Sequence, residues 1–130
     1  MIHYLEKHDF KDGELNIDIF PEEYKNCTFV VMIMAEWCGH CKNAKPAFIE
    51  VAEMMKDNKE VVYCFIDVTV DPDTKDILKL LDGFRGFPDF RVFNSNKDGK
   101  EVNGAHASLG GKRDIDTFKK LASVKRPSHQ

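Results

Sequence analysis

Phe29-Val30-Val31-Met32-Ile33-Met34-Ala35 is the stretch that most narrows what this chain can become. An apolar run without polar alternation predicts a strand buried on both faces, as in the middle of a parallel sheet covered by helices. The pattern then changes. Ala44, Ala47, Phe48, Val51 and Met55 recur at helical spacing and predict a helix from about Cys38 to Met55. Pro46 falls inside it, removes one hydrogen bond at a cost of ~3 kcal/mol, and predicts a kink. Between strand and helix stand Trp37-Cys38-Gly39-His40-Cys41-Lys42.

That placement has chemical content. The first N–H groups of a helix lack internal partners, and the aligned peptide dipoles put partial positive charge there. A thiol at that end ionises more easily, and the thiolate is the nucleophile. Cys38 comes first and takes most of this field. Cys41 follows three residues later on the same helical face. Such a pair can close a small disulfide and reopen it. His40 adds an imidazole whose charged form further favours a thiolate.

The rest of the chain is consistent with a layered α/β domain. Leu15, Ile17 and Ile19 alternate with polar residues and predict a strand, and Phe20-Pro21-Glu22-Glu23-Tyr24 a short helix. Val61–Ile66 predicts a second buried strand. Ile77, Leu78, Leu81 and Phe84 predict a helix closed by Gly83. Phe90, Val92 and Phe93 predict a strand, with an Asp98-Gly99 turn leading to another around Val102. Gly110-Gly111 precede a last helix carrying Ile115, Phe118, Leu121 and Ala122 inward, with Lys119, Lys120 and Lys125 at its end. The domain is expected to occupy 1–124, with 125–130 a flexible tail.

Composition excludes several classes. At 130 residues the chain suits one domain with a real core, and a net charge of −3 argues against a nucleic-acid surface. No apolar run approaches the roughly 20 residues that span a bilayer, so no membrane partner is expected. Met1–His8 shows no signal-peptide core, and Pro127-Ser128-His129-Gln130 is not an endoplasmic-reticulum retention signal. The compartment is left open: the endoplasmic-reticulum lumen is expected if a leader precedes this sequence, and the cytoplasm otherwise. A zinc half-site competes for the Cys38/Cys41 pair, but zinc wants four ligands, and Cys27, Cys64 and the histidines are scattered. No metal is expected. Cys64 reads as a core residue, Cys27 as a plain half-buried cysteine, and His3, His8, His106 and His129 as surface residues. The Asn26-Cys27-Thr28 sequon reads as a chance match.

Trp37-Cys38-Gly39-His40-Cys41-Lys42 resembles the active site of the thioredoxin superfamily, and Gly39-His40 is the form seen in protein disulfide isomerases, where thioredoxins carry Gly-Pro. A proline at the distance of Pro46 after the second cysteine is a further family feature. Arg85-Gly86-Phe87-Pro88 resembles the second family motif. The resemblance covers roughly 15–124 and implies a thioredoxin fold, a central mixed sheet flanked by helices on both faces. It implies that Pro88 is cis and packs against the cysteine pair. It also implies that Phe87 offers its backbone to an extended substrate. Trp37 reads as a partly exposed lid on the active site and Glu36 as a solvated charge. Three positions depart from the family pattern. Met32 stands where a buried acid usually relays a proton to the second cysteine. Asp89 replaces the threonine after the cis-proline, which would put a carboxylate near the sulfurs, raise the thiol pKa and repel acidic substrates. A mobile arginine near the start of the last helix is matched best by Lys112, with Arg113 adjacent.

The resemblance implies a thiol–disulfide oxidoreductase of the disulfide-isomerase type. Cys38 and Cys41 would be catalytic, Gly39, His40 and Lys112 would tune the thiols, and Trp37, Phe87, Pro88 and Asp89 would meet the substrate. The expected partners are proteins with thiols or disulfides and a redox recycling partner. No cofactor is expected beyond the Cys38–Cys41 disulfide, and a monomer is expected. Gly39-His40 points to a reduction potential between ~−180 and ~−270 mV, on the isomerase side. Two alternatives are a cytoplasmic thioredoxin-like reductase and a non-catalytic client-binding module.

Overall fold

The computed structural model describes residues 2–102 and 112–124. In chain order the strands are β1 (Ile2–Tyr4), β2 (Phe10–Lys11), β3 (Glu14–Leu15), β4 (Thr28–Met34), β5 (Val61–Asp67) and β6 (Asp89–Phe93). The helices are α1 (Glu22–Lys25), α2 (Gly39–Met54), α3 (Lys75–Leu78) and α4 (Ile115–Leu121). Short 3₁₀ turns occupy Lys7–Asp9, Ile17–Ile19 and Pro72–Thr74.

The fully apolar run becomes the sheet's centre. The main sheet has the order β1-β5-β4-β6, with β4 parallel to β5 and antiparallel to β6. All seven residues of β4 and all seven of β5 are buried. Register divides the sheet into two faces. Met32 pairs with Phe65 and Phe90, and Val31 with Cys64 and Arg91, so alternate residues look to opposite sides. The face bearing Tyr63, Phe65 and Phe90 is covered by α2 and α4. There Phe48 meets Tyr63, Phe65, Phe90 and Phe118 at centroid distances of 5.5, 5.5, 6.1 and 5.3 Å. The Tyr63 hydroxyl donates to the Phe118 carbonyl at 3.0 Å and ties the sheet to α4. On the other face Phe29 packs on Phe20, and Phe93 on Phe10.

Three expectations change, and one strand is added. The opening residues contribute β1, which extends the sheet by pairing parallel with β5. Residues 17–19 form a 3₁₀ turn and only Glu14–Leu15 is strand; Ile19 is 52% exposed, so the alternation there does not mark a buried face. The helix expected through Phe84 stops as α-helix at Leu78 and continues in turns, with Gly83 at φ +72°. The strand around Val102 is reduced to one bridge, Phe93 to Glu101. Gly110, Gly111, Lys125, His106, His129 and the expected tail lie outside the described residues.

Candidate active site

β4 ends at Met34, and the chain turns through Glu36-Trp37 into α2. Cys38 is the N-cap of that helix, with φ −83° and ψ 115°, and its N–H bonds back to the Ala35 carbonyl at 3.1 Å. An N-cap side chain normally accepts from the N–H two or three residues on. Here the acceptor is sulfur: the Cys41 N–H donates to Cys38 Sγ at 3.2 Å. Cys38 is 6% exposed and Cys41 is fully buried. Both thiols are free. Gly39 and His40 are exposed, and a Cβ at Gly39 would meet nothing within 4 Å.

The two thiols differ in environment. Burial pushes the Cys41 thiol up to about 12, and its hydrogen bond with Cys38 adds to the rise. A backbone hydrogen bond at Ala35 and the positive charge of Arg113 pull the other way. Arg113, rather than Lys112, is thus the cation that acts on the second cysteine. Lys112 instead helps hold the Asp114 carboxyl low, behind the hydrogen bonds from Thr117.

The loop before β6 brings the second motif to the first. Phe87–Pro88 is cis. The Phe87 ring meets Trp37 edge-on at 5.5 Å and Phe84 edge-on at 5.5 Å. Trp37 is 68% exposed, so the rings form a partly open aromatic edge beside Cys38. Asp89 corrects the sequence reading. Its carboxylate accepts from Arg91 at both oxygens, Nε to Oδ1 at 3.1 Å and Nη2 to Oδ2 at 2.8 Å. Its charge is matched by a buried guanidinium and does not stand free to oppose the thiols or repel acidic substrates. Arg91, 1% exposed, is the residue the sequence reading missed. It lies within an apolar strand pattern, and only the register shows that it shares a face with Asp89.

Met32 is fully buried and faces Phe65, so the position of the usual acid is apolar on both strands. Lys45 Nζ lies 5.5 Å from the Phe65 ring centroid and 3.8 Å from Glu36 Oε1. Asp67 is the one buried carboxylate among the described residues. Burial opposes its ionisation, but hydrogen bonds from the Thr69 hydroxyl and amide hold it below the usual carboxylate range.

The thioredoxin family model matches residues 13–116. The chain belongs to the thioredoxin family. This thioredoxin-family domain is 30% identical over 110 residues to the thioredoxin-like protein 453L of Invertebrate iridescent virus 6, covering 74% of this chain and 78% of that protein. It is 29% identical to protein disulfide-isomerase erp38 of Neurospora crassa, covering 84% of this chain but 29% of that longer protein. The solution structure of the first thioredoxin domain of mouse protein disulfide-isomerase A4 superposes with a TM-score of 0.63 at 21% identity, covering 98% of this chain and 81% of that one. The fold is therefore the thioredoxin fold, and the domain is similar to those of disulfide isomerases.

The other thiols take no part in the site. Cys64 is fully buried, and burial drives its thiol up. Cys27 is 4% exposed, more buried than expected, with its sulfur 3.4 Å from the Glu23 carbonyl and 3.2 Å from that of Lys59. His3 is half-buried against Tyr24, and burial lowers its pKa. A cleft of about 670 Å³ near the starts of β4 and β5, lined in part by His3, Tyr24 and Cys27, lies at the opposite end of the sheet from Cys38.

Proposed function

We propose that this domain is a thiol–disulfide oxidoreductase of the disulfide-isomerase type acting on polypeptides. The observation that carries the reading is the Cys41 N–H aimed at Cys38 Sγ at the N-terminus of α2, with the Cys41 thiol enclosed beneath. In the reducing direction the Cys38 thiolate attacks one sulfur of a substrate disulfide. A Cys38–substrate bond forms, and the other substrate sulfur leaves as a thiolate. Cys41 loses its proton and attacks Cys38, closing the Cys38–Cys41 disulfide and releasing the second substrate thiolate. Two electrons have passed to the substrate. Oxidation runs the same steps backwards, and isomerisation needs only attack and release at Cys38.

Gly39-His40 supports the isomerase side, and the neutralised Asp89 no longer argues against it. The experiment is equilibration in glutathione buffers followed by Trp37 fluorescence. The expected potential is near ~−180 mV; a value near ~−270 mV would make the domain a reductase. Absence of any reversible transition would overturn the enzymatic reading. One observation favours a second reading, a client-holding module: fully buried Met32 offers Cys41 no proton acceptor. Full biological activity in a Cys38→Ala, Cys41→Ala variant would establish that reading instead.

A further inference from the structure

We propose that Arg91 is a positioning residue that clasps the substrate loop at both of its stems. The inference rests on the oxidoreductase reading, in which Phe87 offers its backbone to an extended chain. The loop leaves the turns after α3 at Asp82 and enters β6 at Asp89. Arg91 Nη1 donates to the Asp82 carbonyl at 2.6 Å, while Nε and Nη2 grip the Asp89 carboxylate. One guanidinium therefore closes the loop that carries Phe84, Phe87 and Pro88. Glu101 Oε2, 2.8 Å from Nη1, holds the guanidinium from the far side. The three charged side chains are 1%, 12% and 11% exposed.

The chemistry suits this task. A planar fork of five donors can serve a carboxylate bidentately and a carbonyl at the same time, and a lysine ammonium cannot reproduce that geometry. The clasp acts on the site through the rings: Phe84 sets Phe87, and Phe87 sets its edge against Trp37 beside Cys38. Its effect is specific to substrate class. A polypeptide must pair with the Phe87 backbone in one register. A small disulfide needs only the sulfur.

The test uses the full chain, as wild type, Arg91→Lys and Asp89→Asn. Each is assayed with a synthetic peptide closed by one disulfide and with glutathione disulfide. In both variants the ratio of peptide to glutathione kcat/KM is expected to fall about tenfold, with the loss in peptide KM rather than kcat. Amide exchange at Phe84, whose N–H bonds to the Leu81 carbonyl, and at Asp89, paired with Ile33, is expected to speed up while that of β5 does not, which a general loss of stability would not produce. If Arg91→Lys fails to fold, Asp89→Asn decides alone. An unchanged ratio, or exchange that rises equally throughout, overturns the clasp. A wild type that turns over neither disulfide overturns the oxidoreductase reading itself, while loop exchange still reports whether the clasp exists.

Discussion

In the proposed reaction Cys41 must surrender its proton before it can release a polypeptide, and the charge of Arg113 favours that loss. An exposed cation acting through solvent is worth about 1 kcal/mol. Arg113→Ala is therefore expected to slow resolution of the mixed disulfide about fivefold, and Lys112→Ala by less than about twofold. Rapid-mixing measurement with a Cys38-linked peptide checks both; equal effects would show that neither residue is singled out. The sequence leaves this choice open because both residues sit at the entrance to α4 and carry the same charge. Only the folded path brings the charge of Arg113 to bear on Cys41 and that of Lys112 on Asp114. The cysteine pair itself is plain from sequence, since a buried strand, two cysteines three apart and a helix start leave little else to build. Arg91 and Asp89 were hidden for the opposite reason. Their partnership depends on a face of the sheet and on Asp82 and Glu101, which local pattern does not reveal.

Among the elements, the long ones followed from periodicity: β4, β5 and α2 lie within a residue or two of expectation. The short ones did not. β1 spans three residues, too few for a pattern, and is a strand because β5 offers it an edge. Two glycines show how the turns between elements differ. Both hold positive φ, Gly83 at +72° and Gly99 at +75°. Gly83 faces open space, but a Cβ at Gly99 would overlap the carbonyl oxygen of Leu15, whose N–H already bonds to the Gly99 carbonyl at 2.8 Å. Gly83→Ala is expected to cost about 1 kcal/mol, the backbone term alone. Gly99→Ala is expected to exceed it by about 2 kcal/mol, because β3 must move. Urea unfolding of the two variants checks the order; the reverse order would mean that the contact between Gly99 and β3 contributes nothing.

For the molecule as a whole, the enclosed acids set an alkaline limit. Cys41 and Tyr63 are pushed up to about 12 from ordinary values of 9.0 and 10.0, in each case first by burial, and Cys64 is pushed up as well. The folded chain thus keeps protons that the unfolded chain releases. Stability is full below pH 9.0 and falls as pH rises towards about 12. Closing the Cys38–Cys41 disulfide removes Cys41 from this titration. Between pH 8 and about 10.5 the urea midpoint of the reduced form is therefore expected to drop further than that of the oxidised form. Parallel drops would show that Cys41 is not shielded. For a client, the same burial works as a clock. In the proposed reaction, when release goes through Cys41, the stay on Cys38 lasts until that enclosed thiol ionises, so one pH unit towards alkaline shortens it about tenfold.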